Sequence, residues 1–175
     1  GTGVSNTDGS ITSTVSVGAT SQQNWFSVVS YTGTLSSTGT ASVGHGLSVR
    51  PKMVIYKSRN VTGGDAGDWS IWHDDLSSDN HILRFTTAAE SNKSGNGDMS
   101  SLFTTTTFGT NWTSGINVTG NNYIAYCFAN AENLCRVGKY TGNGSTDGVF
   151  VYTGFRPSAI IGKNTIDGTA NWWFH

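Results

Sequence analysis

The chain has 175 residues, a net charge of −1 and only 12% charged residues, about half the share of an average globular protein. Its Lys and Arg residues are scattered singly, and no window approaches the roughly 18 consecutive apolar residues of a membrane helix, so we expect neither nucleic acid nor a membrane among its partners. With 23 Gly and six Trp, the composition is typical of a folded, turn-rich β protein and not of a disordered chain.

Alternation with period two predicts a series of strands along the chain, because alternate residues of a half-buried strand face the core. The predicted strands cover residues 10–17, 25–32, 52–58, 68–74, 81–87, 101–108 and 122–128. Gly, Asn, Asp and Ser cluster between them, as in "NVTGGDAGD" and "NKSGNGD", and these residues favour turns. Strands at this spacing, without a sustained helical period, predict an all-β fold with an antiparallel β-sandwich or jelly-roll-like domain.

Several phrases occur twice in the same order, which indicates an internal repeat. "SYTG" at residue 30 is matched by "KYTG" at 139, "VRPKMVIYKS" at 49 by "FRPSAIIGKN" at 155, and "DWSIWH" at 68 by "NWWFH" at 171. The Tyr of the first phrase recurs after 109 positions, the Arg of the second after 106 and the first Trp of the third after 103. Both decreases in spacing fall in loops, which is how homologous β domains diverge.

The repeat length of about 105 residues matches one sandwich domain. We interpret residues 25–130 as one complete unit, residues 134–175 as the first part of a second unit, and residues 1–24 as the end of a preceding unit or an N-terminal strand. A partial sandwich exposes strand edges and an apolar face. We therefore expect it to pair with other sequence or with another chain.

The two cysteines, Cys127 and Cys135, lie on either side of "FANAENL". A hairpin at this point would let them form a disulfide that closes a small loop. The alternative is that Cys127, within the apolar run "YIAYCF", is a buried thiol.

The densest polar cluster is "WHDDLSSDNH". His73 and Asp75 share one face of a strand there, and they are the best pair for a divalent metal or for acid–base chemistry. The alternative is a polar turn in which Asp and Asn satisfy backbone donors. No phosphate loop, nucleophile elbow or zinc-type spacing of Cys and His occurs in the sequence. The chain is therefore predicted to be no enzyme and to bind no cofactor.

Exposed aromatic rings are a further candidate site, because they stack on sugar rings with support from neighbouring polar side chains. Trp69 and Trp72 fall on opposite faces of one predicted strand, so one of them is expected to point outward. Trp112, beside Asn111 in the loop-like "GTNWTSG", is the best exposed candidate. The alternative for each ring is a place in the core.

The longest phrases resemble a domain that recurs in structural and tail proteins of tailed bacteriophages, especially marine ones. The similarity spans nearly the whole chain and rests on "GVSNTDGSITSTVS", "FSVVSYTG", "VGHGLSVRPKMVIYKSR", "NNYIAYCFA" and "GKYTGNGSTDGVFVYTGFRPSAIIGK". It implies a virion-associated β protein built from repeats, located at the virion surface or outside the cell. The family's single Cys in the "YCFA" strand matches Cys127, whereas Cys135 has no counterpart, which makes a disulfide less expected.

These observations lead to one main hypothesis and several rivals. The main hypothesis is a non-enzymatic virion structural protein, a segment of a tail fibre or surface appendage that helps adhesion to the host. We expect it to self-associate, with a trimer favoured, and to contact other virion proteins and a host-surface glycan. The rivals are a capsid decoration or extracellular fibre-forming protein and a carbohydrate-binding module. A polysaccharide depolymerase ranks last, because it needs paired acidic groups and Glu90 and Glu132 are the only glutamates.

Overall fold

A computed structural model of the protein describes residues 3–19, 24–62, 67–111 and 115–175. Within these residues the chain is all-β, with twelve strands and one short 3₁₀ turn, Ser94–Asn96. The strands are β1 (Val4–Asn6), β2 (Ser13–Ala19), β3 (Asn24–Thr32), β4 (Thr40–Gly44), β5 (Met53–Ser58), β6 (Ser70–His73), β7 (His81–Arg84), β8 (Ser91–Asn92), β9 (Thr107–Asn111), β10 (Asn122–Phe128), β11 (Ile161–Gly162) and β12 (Trp173–Phe174). Among the same residues, no helix has the length and apolar character needed to cross a bilayer.

Eight strands form one antiparallel sheet in the order β1-β2-β3-β10-β5-β6-β7-β8. β10 is inserted between β3 and β5, so that Ala125 lies opposite Val29 on one side and opposite Tyr56 on the other. β4 and β9 pair with each other and form a separate two-stranded ribbon, in which Val43 lies opposite Phe108. The ribbon packs over one face of the large sheet. The predicted all-β fold, an antiparallel β-sandwich, is confirmed.

The core lies between the ribbon and the inner face of the large sheet. Phe108 of β9 meets Tyr31 of β3 and Tyr56 of β5 edge-on, with ring centroids 6.0 and 5.6 Å away, an arrangement that aromatic rings favour. The Tyr31 hydroxyl donates to the oxygen of Ile116 at 2.6 Å, and that of Tyr56 to the oxygen of Gly109 at 3.0 Å. Both buried hydroxyl groups therefore have the hydrogen-bond partner that burial demands.

The predicted strands agree with the structure in all but one case. The prediction of a strand over residues 101–108 is wrong, because β9 begins only at Thr107. The preceding residues form a hydroxyl-rich turn, in which Thr104 Oγ1 accepts from the N–H groups of Thr106 at 3.2 Å and Thr107 at 3.0 Å. Such side-chain bonds compete with strand pairing. Alternation also failed to indicate β1, β4 and β8, which are short or rich in Ser, Thr and Gly.

The N-terminal segment belongs to the same core as the strands that follow it. Its described part supplies β1 and β2 to the large sheet, and β2 pairs along its length with β3. Ile11 forms a parallel bridge to Val43 of the ribbon, and both side chains are buried. This segment therefore joins the two layers of the sandwich at one end.

The C-terminal repeat phrases form a strand pair in the same register as their counterparts. Ile161 of β11 lies opposite Phe174 of β12. The repeat spacings of 106 and 103 relate these residues to Ile55 and Ile71, which are partners in β5 and β6. Two further pairs follow the same spacing. Gly162 lies opposite Trp173, as Tyr56 lies opposite Ser70 in the first copy, and Ile160 bonds to His175, as Val54 lies opposite Trp72.

A lysine that anchors the connecting loop is repeated as well. Lys57 Nζ donates to the oxygen of Gly67, and Lys163 Nζ donates to the oxygen of Ala170 at 2.8 Å. The spacing is again 106 positions for the lysines and 103 for the carbonyl groups. The repeat in sequence is therefore also a repeat in strand register and in loop anchoring.

The C-terminal phrases nevertheless expose side chains that the first phrases bury. Tyr140 is 59% exposed whereas Tyr31 is 4% exposed, and Phe174 is 73% exposed whereas Ile71 is 1% exposed. Between Arg136 and Ile160 the chain forms no strand, so no counterpart of the β4–β9 ribbon covers β11 and β12 within the described residues. Exposed apolar surface of this kind is typical of contact surfaces.

A buried histidine ties the end of β4 to the turn before β9. His45 Nδ1 accepts the N–H of Leu47 at 3.0 Å, so its proton is on Nε2, which faces the oxygen of Thr104 at 3.3 Å. Burial lowers the pKa of His45 below its ordinary value of 6.5, and this effect outweighs the contact with Thr104. The folded protein therefore holds His45 neutral.

This lowered pKa predicts a loss of stability in mild acid. Because the unfolded chain binds the His45 proton more readily than the folded one, the contribution is complete above pH 6.5 and declines as the pH falls below that value. We expect the free energy of unfolding, measured by urea titration, to fall between about pH 6.5 and pH 5. His45→Asn keeps an acceptor for Leu47 and should reduce that slope without abolishing it, because burial also lowers the pKa of His73. Replacing the exposed His175 with Asn should leave the slope unchanged. Equal slopes in the wild type and His45→Asn would contradict the assignment.

Candidate interaction surface

The outer face of the large sheet, opposite the ribbon, carries a row of aromatic rings. In order across the sheet they are Phe26, Tyr126, Trp69, Phe85 and Trp172, and we call this set the aromatic row. Successive ring centroids lie 6.5, 6.1, 6.1 and 4.9 Å apart. The row therefore runs without interruption from the centre of the sheet to the C-terminal phrases.

Strand alternation places the row on this face. In β10, Ala125 and Cys127 point into the core, so Tyr126 between them points outward. In β3, Val29 points into the core, and Phe26 has the opposite parity. The run "YIAYCF" carries apolar residues on both faces, with those on the core side fully buried and those on the outer side partly buried. That two-sided pattern is the sequence signal for this part of the row.

Trp69 is the exposed ring at the middle of the row. It is 37% exposed, stacks on Tyr126 and meets Phe85 edge-on at 68°. Lys57 Nζ lies 5.8 Å from its ring centroid, within reach of a cation–π interaction. Of the predicted sugar-contact residues that the structure describes, Trp69 alone presents ring surface to the exterior.

Trp72 points into the core, on the opposite face from Trp69 as alternation predicted. It is fully buried and stacks on Phe103, with ring centroids 3.8 Å apart and an interplanar angle of 9°. The guanidinium carbon of Arg50 lies 5.3 Å from its ring centroid. No ligand at the surface can reach such a ring, so the predicted sugar contact at Trp72 is corrected to a place in the core.

Asn111 is also a structural residue and not a surface contact. It is fully buried, and its Nδ2 donates to the main-chain oxygens of Lys93 at 3.0 Å and Gly97 at 3.1 Å. These bonds fasten the end of β9 to the 3₁₀ turn. The predicted sugar contact at Asn111 is corrected accordingly. Trp112 lies outside the described residues.

The His73 and Asp75 pair forms a turn contact. His73 Nδ1 accepts the N–H of Asp75 at 3.0 Å, and burial lowers the pKa of His73 even though Asp75 and Asp74 oppose that effect. In the part of the chain that the structure describes, no three His, Cys, Asp or Glu side chains gather to hold a metal ion. The geometry of the pair is that of the polar turn, the alternative interpretation of this cluster.

An ionic cluster that the sequence patterns did not indicate surrounds Arg50. Its Nε donates to Asp74 Oδ1 at 2.9 Å, one terminal nitrogen donates to Asp79 Oδ1 at 2.8 Å, and the other donates to the oxygen of Phe103. Lys52 also pairs with Asp74. Burial alone would raise the pKa of Asp74, but the hydrogen bonds from Lys52 and Arg50 outweigh it and hold that pKa below its usual range. The "RP" phrase, which occurs in both copies of the repeat, was the sequence feature that could have drawn attention to Arg50.

The two cysteines are both free thiols. Cys127 is fully buried in β10, and burial raises the pKa of its thiol to about 12. Cys135 is partly buried, which also raises its pKa. Of the two alternatives, the buried thiol at Cys127 is the one that the structure shows.

Comparison with known proteins adds a family. No curated protein and no solved structure matches the chain. A family model described as a domain of unknown function, DUF7483, matches residues 1–175. By this match over its whole length, the chain belongs to the DUF7483 family.

Proposed function

We propose that this protein is a non-enzymatic structural protein made of repeated β units, a segment of a bacteriophage tail fibre or related surface appendage that contributes to host adhesion. The observation that carries the proposal is the reproduction of β5 and β6 by β11 and β12, in register and in loop anchoring. Appendages extend by adding units of one kind, while loops vary to meet different partners. The resemblance of the longest phrases to phage structural proteins supplies the virion context.

The exposed apolar side chains of the C-terminal phrases support self-association as part of this role. Tyr140, Phe150, Ile166 and Phe174 are all more than half exposed. Large apolar side chains that are exposed in this way are often covered by a neighbouring unit or chain. We therefore propose that copies of this chain assemble with one another, as a trimer in the favoured arrangement, and with other virion proteins. Adhesion to a host-surface glycan would then use the loops that differ between copies.

The proposal is tested by locating the protein on intact phage particles. An antibody raised against this chain, detected by immunogold electron microscopy, is expected to label tail tips or fibres. Label over the capsid would favour a decoration protein, and particles without label would overturn the virion assignment. Light scattering on the purified chain adds a second test, since a strict monomer at micromolar concentration contradicts the proposed self-association.

A further inference from the structure

The C-terminal phrases repeat β5 and β6, and they also bind to the large sheet that precedes them in the chain. Trp172 Nε1 donates to the oxygen of Arg84 at 2.7 Å, and its ring lies 4.9 Å from that of Phe85. Lys163 Nζ donates to the oxygen of Thr87 at 3.0 Å. We call residues 84–90 the receiving segment. It begins at the last residue of β7 and continues into the loop that follows.

A main-chain bond completes this contact. The N–H of Glu90 donates to the oxygen of Thr165 at 2.8 Å. The receiving segment is thus bound by a lysine, an indole and a loop carbonyl from one strand–loop–strand motif. Because the bonds to Arg84, Thr87 and Thr165 all use main-chain oxygens, the contact depends on backbone shape more than on the receiving side chains.

The first copy of the motif carries the same binding groups. Lys57 is the counterpart of Lys163, and Trp69 is the counterpart of Trp172, by the spacings of 106 and 103. Both stand on the outer face, with Lys57 Nζ 5.8 Å from the Trp69 ring centroid. The Trp69 ring is 37% exposed, and its indole N–H donates to none of the described residues. The indole donor that binds a carbonyl in the second copy therefore has no acceptor among the described residues in the first.

We infer that Lys57 and Trp69 form a docking surface for the receiving segment of another copy of this β unit. The inference deepens the proposed function and rests on its premise of repeated units. One unit would dock its Lys–Trp pair on residues 84–90 of the unit before it, as Lys163 and Trp172 already do. The two surfaces differ, so the contact is head-to-tail, and head-to-tail contacts that do not close give extended rows.

Within one chain, the C-terminal motif already occupies the receiving segment. Because it is part of the same chain, its effective concentration exceeds that of the Lys57–Trp69 pair of a second molecule. The test therefore uses a full-length release variant, in which Lys163→Ala and Trp172→Ala remove the contacts of the C-terminal motif with the receiving segment. By sedimentation velocity over a range of concentrations, this release variant is expected to associate more strongly than the wild type. Adding Trp69→Ala should weaken the extra association about 30-fold, the effect of removing an interface tryptophan.

The matched control is Trp25→Ala in the same release variant, because Trp25 is a partly buried tryptophan that contacts Phe26 and has no part in the motif. It should leave the extra association unchanged. Where the release variant no longer unfolds cooperatively, Lys163→Ala with Trp172→Phe replaces it, since phenylalanine keeps a ring against Phe85 and lacks the N–H donor. If release causes no extra association, or if Trp69→Ala and Trp25→Ala have equal effects, the inference is overturned. The immunogold experiment does not depend on the Lys57–Trp69 contact. The docking inference can therefore fail while labelled fibres still support the proposed function.

Discussion

Replacing Trp72 with alanine is expected to lower the free energy of unfolding by about 3–5 kcal/mol, the range for deleting a large buried aromatic side chain. The ring is fully buried and stacks on Phe103 with centroids 3.8 Å apart. Its removal leaves a cavity between β6 and the segment that leads into β9, and it also uncovers one side of Arg50. Urea denaturation followed by far-UV circular dichroism measures the loss. An ordinary domain has an unfolding free energy of about 5–15 kcal/mol, so this loss is a large fraction of the total and should lower the urea midpoint clearly.

Trp69→Ala is the matched control, because the same residue type stands three positions earlier on the opposite face. Its ring is 37% exposed and leaves no enclosed cavity when removed, so we expect a smaller loss of about 2 kcal/mol. Similar losses in the two variants would contradict the assignment of Trp72 to the core and Trp69 to the surface.

Replacing Arg50 with alanine is expected to cost about 2 kcal/mol, because two carboxylates and a carbonyl group lose a charged donor. The side chain of Arg50 is 33% exposed, while those of Asp74 and Asp79 are 15% and 19% exposed. Solvent therefore screens the cluster in part, which keeps the expected loss below that of a fully buried ion pair. Arg50→Lys keeps the charge but not the planar fork, so it should recover only part of the stability.

Arg156 provides the control that the repeat itself offers. It occupies the same place in "FRPSAIIGKN" as Arg50 in "VRPKMVIYKS", but it is exposed and forms no ion pair with the described residues. Arg156→Ala should change the free energy of unfolding by less than about 0.5 kcal/mol in urea denaturation. A loss as large as that of Arg50→Ala would show that the C-terminal phrase has its own ionic cluster.

Strands with strong alternation were predictable from the sequence, and strands made of small polar residues were not. β3, β5, β6 and β10 each carry large apolar residues in an alternating pattern that small residues interrupt at single positions, and each lies where the pattern indicates. β9 was misplaced because the run of four threonines at 104–107 has high strand propensity, whereas Thr104 uses its hydroxyl to hold a turn. β4 consists of Thr, Ala, Ser, Val and Gly, and its pairing depends on β9, 63 or more positions away.

The candidate surface was predictable only in part, because period two shows that two residues face apart but not which of them faces the core. β6 is apolar on both faces, with Ile71 on one and Trp72 on the other. The tertiary partners Phe103 and Arg50 select the inner face for Trp72. Phe85 and Trp172 belong to the aromatic row because their rings are in contact, although they are 87 positions apart in sequence. A local sequence pattern cannot predict a contact at that separation.

The position of β10 has a consequence for how the chain acquires its structure. The strands on its two sides, β3 and β5, end at Thr32 and Ser58, whereas β10 begins at Asn122. Until that late segment arrives, β1 to β3 and β5 to β8 are two separate groups with no main-chain bond across the gap that β10 fills. Bringing in the last strand closes two long loops at once, so folding should be slow, in the range of milliseconds to seconds that distant β pairing requires. During that interval each group presents an unpaired apolar edge, so premature encounters between chains compete with completion of the sheet.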